Sequence, residues 1–221
     1  MLKSFAYGES SLIARCFSEK NGKISIIIKG AKKTKSPKAP YFQPLSYIDI
    51  IYNHKINRDL QVLSKVNFRQ YWSKILDDLY RVSLAISMLE LTDKTMSDND
   101  PHPSLFLILK EVLKAFNNTS VDPKTLFWFY ECALLSEMGF AIDINNQDIN
   151  GLNISKKKDN KSYQILNDIL SSDYEQIKNV KYSLKDKNII SEYLFKQLSY
   201  HFEGFYKLKS FKVAKKILTK N

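Results

Sequence analysis

The sequence predicts an α+β protein in which a small β-barrel or sandwich, residues 1–70, precedes an all-α module, residues 71–221. Three observations carry this. The hydrophobic period is two up to about residue 70 and becomes helical from about residue 72 onwards. Glycine and asparagine turn signals crowd the first part, and aspartate–proline helix starts mark the second. The charge divides along the same line: residues 1–75 hold 14 Lys+Arg against 4 Asp+Glu, and residues 76–221 hold 20 against 19.

The strands come first. Leu12, Ala14 and Cys16 alternate with Ile13, Arg15 and Phe17. Asn21-Gly22 is a hairpin signal, and after it Ile24, Ile26 and Ile28 alternate with Ser25, Ile27 and Lys29. The run Tyr47 to Tyr52 is β-branched and aromatic, which suits a third strand. In the fourth, Leu60, Val62, Ser64, Val66 and Phe68 are expected on one face and Gln61, Leu63, Lys65 and Asn67 on the other.

The helices follow. Leu76, Leu79, Ser83, Ile86 and Glu90 trace one line of a first helix, broadened by Val82, Leu84 and Leu89. Asp100-Pro101 predicts the start of a second, with Leu105, Phe106, Leu109, Val112, Leu113 and Phe116 as its apolar face, because proline is favoured just inside a cap. Asp122-Pro123 starts a third, which runs through Phe127, Tyr130 and Leu134 and ends at Gly139. Its run Phe127, Trp128, Phe129, Tyr130 offers more apolar surface than one core face needs. That fits either a partner-binding surface or a helix covered on every side. Residues 141–161 are polar and read as a loop or insert. Helical periodicity returns near Tyr163 and from Lys185 to Phe202, before a basic tail.

Composition sets the function classes. Apolar residues at 44% and aromatics at 13% predict a folded chain. Two cysteines, Cys16 and Cys132, are too few for a disulfide framework and fit a reducing compartment. No apolar run reaches membrane-spanning length and the start lacks a signal-peptide pattern, so a cytoplasmic, non-membrane protein is expected. His54, His102 and His201 are too scattered to suggest a metal or catalytic site. Gly30 to Ser36 lacks the second glycine of a phosphate-binding loop, and Asp143 to Gly151 departs from a calcium loop in its glycine and twelfth position. No active site emerges, so the chain is expected to be no enzyme and to carry no cofactor and no metal.

A polyanion partner is what the placed charge predicts. Lys23, Lys29, Lys32, Lys33, Lys35 and Lys38 fall between Glu19 and Asp49, where no acid occurs, and Arg15 lies on the strand before them. Lysines in such a loop can follow a phosphate backbone, releasing counterions at each contact. Phe17, Tyr41, Phe42, Tyr47 and Tyr52 flank the segment. Rings of this kind either stack bases or fill the core. The tail lysines Lys207, Lys209, Lys212, Lys215 and Lys216 form a possible second basic site.

The ordered run from Tyr7 to Ser36 (YGESSLIARCFSEKNGKISIIIKGAKKTKS) resembles the opening of the RecO family of bacterial recombination mediators. The resemblance continues through Phe42 to Asn53, Leu89 to Lys94, Ser104 to Leu113, Leu134 to Ile144 and Phe202 to Leu218. It implies an N-terminal OB-fold β-barrel joined to a helical domain. It also implies a protein of DNA repair and homologous recombination that binds and anneals single-stranded DNA and assists recombinase loading. The partners it implies are RecR, the single-strand-binding protein and, indirectly, RecA recombinase, at the cytoplasmic nucleoid. Many members carry a cysteine zinc site, but Gln147 and Asn150 stand at the aligned positions here, so no zinc is expected. An RNA-binding OB-fold protein, or a helical interaction scaffold with a basic module, are the alternatives.

Overall fold

The computed structural model describes residues 1–33, 36–118, 122–144, 160–171 and 180–205, with Leu208 and Ser210. Five strands come first: β1 (Lys3–Tyr7), β2 (Ser11–Ser18), β3 (Gly22–Ile28), β4 (Tyr47–Asn53) and β5 (Leu60–Gln70). They form one sheet in the order β1-β2-β3-β5-β4. Every pairing is antiparallel except β3 with β5, which run parallel over Ser25–Ile27 and Leu60–Val62. The two edges, β1 and β4, share no ladder among the described residues, so the sheet is open and OB-like. Two bonds link the segments just before them, Leu45 N to Met1 O at 3.2 Å and the Met1 amino group to Ser46 O at 2.8 Å.

The inner face is the one that the alternation predicts. Ala14, Cys16, Ile24, Ile26 and Ile28 are buried there together with Ala31 and Phe42. Each of the three isoleucines and Phe42 contributes roughly 1.5–3 kcal/mol on burial. The expected face of β5 is not continuous. Ile51 pairs with Lys65 and the next residue, Tyr52, pairs with Leu63, which leaves Ser64 as an inserted residue. A bulge of this kind reverses which residues face inward. Leu63 and Val66 consequently both pack on the core, while Val62 faces out.

Six helices complete the described chain: α1 (Ser73–Leu76), α2 (Leu79–Thr95), α3 (Pro103–Phe116), α4 (Pro123–Glu137), α5 (Lys161–Ser171) and α6 (Leu184–His201). Asp78 caps α2, its carboxylate accepting from Tyr80 N at 2.8 Å and Arg81 N at 3.1 Å. The buried line of α2 is Leu84, Met88 and Leu91, whereas Leu79 is 71% exposed, so the predicted stripe is rotated. α3 starts at Pro103, two residues beyond the predicted proline. Asp122 caps α4 as expected, accepting from Thr125 N at 2.9 Å.

The chain divides into two compact units, Met1–Leu107 and Ile108–Asn221. In the first, Trp72 Nε1 donates to Leu45 O at 2.8 Å, and the rings of Phe17 and Phe106 meet edge to face at 5.7 Å. In the second, Trp128 and Cys132 of α4 pack with Ile165, Leu166 and Ile169 of α5 and with Ile190, Tyr193 and Leu194 of α6. Phe127, Trp128 and Tyr130 are all buried, which decides the aromatic run in favour of a helix covered on more than one side. Most of the polar insert, residues 145–159, lies outside the described residues.

Candidate nucleic-acid interface

Strand pairing fixes which side chains share the outer face of the sheet. Phe5 lies opposite Ile13, Ile13 opposite Ile27 and Ile27 opposite Val62, so an apolar row crosses four strands. Phe5 is 47% exposed and Tyr7, two residues along β1 on the same face, 51%. These are the open rings of the strand face. Of the rings that the sequence suggests, Phe17 and Phe42 are buried and Tyr41 stacks on Phe68 with centroids 4.3 Å apart. Tyr47 stacks on Trp72, and the Tyr52 hydroxyl accepts from the Asn21 amide.

The lysine loop borders this face. Lys29, Lys32, Lys33 and Lys38 are exposed, and Lys35 lies outside the described residues. Gly30, at φ 72°, turns the chain out of β3 in a conformation that favours glycine. The loop is then tied to the β1–β2 turn: Lys32 N donates to Ser10 O at 2.9 Å and Lys32 Nζ to Gly8 O at 3.2 Å.

The β4–β5 connection supplies a second basic element that the sequence reading missed. Lys55 and Arg58 line a cleft of about 250 Å³ with Lys29, Asn53, Leu60, Gln61 and Val62. Buried Gln61 holds this connection in place. Its Nε2 donates to Lys55 O at 3.0 Å and Arg58 O at 2.5 Å, and its Oε1 accepts from Lys55 N at 2.9 Å. The parallel β3–β5 ladder is what brings residues 55 and 58 beside residue 29. Two cations in a short inter-strand connection were the available signal, invisible without that pairing.

Arg15 and Lys23 are placed differently. Arg15 Nη1 and Nη2 meet the two carboxylate oxygens of Asp98 at 2.8 and 2.5 Å, and Nη1 donates to Ser25 Oγ at 2.7 Å. Lys23 is buried, its Nζ donating to Asp93 O at 2.6 Å and lying 3.3 Å from Asp98. Lys3 adds a third cation, 2.6 Å from Asp93. The hydrogen bonds from Arg15 hold the Asp98 carboxyl below its usual range. The tail lysines Lys207, Lys209, Lys212, Lys215 and Lys216 lie outside the described residues.

The two cysteines are not activated. Burial pushes the Cys16 thiol up to about 11 and the Cys132 thiol higher still, so neither is a thiolate at neutral pH. Among the described residues no three His, Cys, Asp or Glu side chains gather in a way that could hold a metal. With two cysteines in the whole chain, each buried in a different unit, the residues present do not fit a cysteine zinc site. No described helix is long and apolar enough to cross a membrane.

An OB-like sheet with a basic rim, followed by helices, defines the class: an OB-type module joined to a helical one. A family model described as Recombination protein O N terminal matches residues 1–72, and one described as Recombination protein O C terminal matches residues 76–210. The chain belongs to the recombination protein O (RecO) family. Similar proteins include the DNA repair protein RecO of Salinibacter ruber, 29% identical over 141 residues, 64% of this chain and 54% of that one. That of Exiguobacterium sibiricum is 29% identical over 68% of this chain and 59% of its own. That of Bacillus cytotoxicus is 30% identical over 63% and 55%. The matched region thus spans between 54% and 59% of the length of these relatives.

Proposed function

We propose that this protein is a non-enzymatic mediator of DNA repair and homologous recombination that binds single-stranded DNA on the outer face of its sheet. The observation that carries the proposal is the juxtaposition of exposed Phe5 and Tyr7 with the cations Lys29, Lys32, Lys33, Lys55 and Arg58. Rings on an open strand face stack bases irrespective of sequence, and lysines in flanking loops track phosphates as point charges. Family membership and relatives called DNA repair protein RecO support the assignment. On this reading residues 1–70 form the DNA-binding module and residues 71–221 a helical module that serves protein partners. Annealing of complementary strands, cooperation with RecR and the single-strand-binding protein, indirect loading of RecA and residence at the cytoplasmic nucleoid complete the proposal.

Fluorescence anisotropy of labelled oligo-dT over a range of salt tests it, with oligo-U and anionic vesicles as comparisons. Salt-sensitive binding that is strongest for DNA is the expected result. Preference for oligo-U would make the protein an RNA binder, and binding to vesicles alone would make it a membrane-surface scaffold.

A further inference from the structure

We propose that Arg15 is a phosphate subsite held closed by Asp98, and that an incoming single strand displaces the carboxylate. This rests on the nucleic-acid reading above. Four observations support it. Arg15 is bound bidentately by Asp98, with two N–H···O contacts at 2.8 and 2.5 Å, which is the fork geometry that guanidinium uses for phosphate as well as carboxylate. Arg15 also lies on the proposed DNA face. It pairs with Lys3 and Ser25, in the row beside Phe5, Ile13 and Ile27. Its row is thus about 13 Å from that of Lys29, four residues along β3 at roughly 3.3 Å each.

The two carboxylates differ in a way that separates a structural role from a gating one. Asp93 is 7% exposed and is met by Lys3 at 2.6 Å, so it supplies the buried counter-charge on its own. The Asp98 side chain is 48% exposed, at the solvent side of the network, on the segment between α2 and α3. The pair is therefore open to solvent on its carboxylate side, where another anion can approach and exchange with Asp98. Finally, the network holds three cations, Lys3, Arg15 and Lys23, against two carboxylates. Withdrawing Asp98 leaves a net +2 facing the strand, the field that a phosphate would neutralise. The segment need not unfold for this, because Asn99 N still donates to Lys23 O at 2.9 Å.

Labelled oligo-dT binding across a salt series, with the full chain, tests the proposal. Asp98→Asn removes the carboxylate that the strand must displace, so affinity should rise severalfold while the log–log salt slope keeps its wild-type value, the same phosphates being contacted in both. Adding Arg15→Gln to Asp98→Asn removes the contact itself, and at about 0.7 of slope per contact it should lower affinity roughly fivefold at about 0.1 M salt and flatten the slope by about 0.7 relative to Asp98→Asn. An Asp98→Asn protein with native circular dichroism and unchanged or weaker binding overturns the proposal while leaving the DNA reading intact. Should that variant fail to fold, Asp98→Ser replaces it, and the wild type gives a variant-free measurement. Its Arg15 Nε–Hε resonance should move on addition of oligo-dT, and a resonance that stays put at saturation overturns the proposal. If the wild type binds no oligonucleotide at all, both readings fall together.

Discussion

Replacing Gly22 by alanine places a methyl group where the chain has no room for one. Gly22 opens β3 at φ 62°, a region that costs an L-residue about 1–2 kcal/mol. An ideal Cβ there would lie 1.9 Å from Asp100 O and 2.4 Å from Asp100 C, and both are backbone atoms that no rotamer change can move aside. The α2–α3 connection must shift, and the first bond lost is Asn99 N to Lys23 O, worth about 0.5–1.5 kcal/mol. Together these predict a loss of about 1.5–3.5 kcal/mol in Gly22→Ala. Gly8→Ala is the control. Gly8 also has positive φ, 57°, but a Cβ there meets nothing within 4 Å, so only the backbone strain, about 1–2 kcal/mol, applies. Urea unfolding of the two variants and the wild type, compared at equal m-value, measures the difference. If Gly22→Ala is no less stable than Gly8→Ala, the close approach of the Asp100 backbone to the β2–β3 hairpin is refuted.

The combined replacement of Lys29, Lys32 and Lys33 by alanine should reduce the log–log salt slope of oligo-dT binding by about 2, at roughly 0.7 per contact, and weaken all sequences alike. Phe5→Ala and Tyr7→Ala should leave that slope unchanged while each costing about 1–3 kcal/mol of binding if a base stacks there. Anisotropy titrations separate the two patterns. Asp186, which accepts from Ser183 N at 2.9 Å and Ser162 Oγ at 2.7 Å, is held below its ordinary value of 3.8, first by its bond with the Ser183 side chain. Its stabilising contribution is present in full above that value and is lost as the pH falls through the lower, folded-state value. The stability gap between wild type and Asp186→Asn should therefore close on acidification below about pH 4, which denaturant unfolding between neutral and acid pH would show.

The fold was legible where a side-chain period governs it. Ala14, Cys16, Ile24, Ile26 and Ile28 alternate in the sequence and share one buried face. It was not legible where one residue breaks that period: nothing about Ser64 marks it as inserted, yet it reverses the facing of β5. The stripe of α2 was misplaced because the helix is buried on several sides. Ser83, Ser87 and Thr92 are buried too, and Ser87 and Thr92 satisfy their hydroxyls on backbone carbonyls four residues earlier. At the candidate site, Lys29, Lys32 and Lys33 were visible because they are neighbours in the chain. Lys55 and Arg58 join them only through the parallel ladder, and the carboxylates that engage Arg15 and Lys23 lie seventy or more positions away. The rings of Phe5 and Tyr7 escaped notice because β1 is short and precedes the clear alternation.

The parallel ladder also bears on the order in which the chain assembles. β2 with β3, and β4 with β5, are hairpins of local contacts, and such units form in about 1–10 μs. Ser25 meets Leu60 and Ile27 meets Val62 across 35 positions of sequence, so that junction closes a long loop before any of its bonds is made. Non-local pairing of this kind is expected to come late, an order that φ-values would register as higher in the hairpins than at Ile27 and Val62. The cleft in which Lys29 stands beside Lys55 and Arg58 exists only once that junction has zipped. A chain with both hairpins intact but unjoined carries every cation and still lacks the groove.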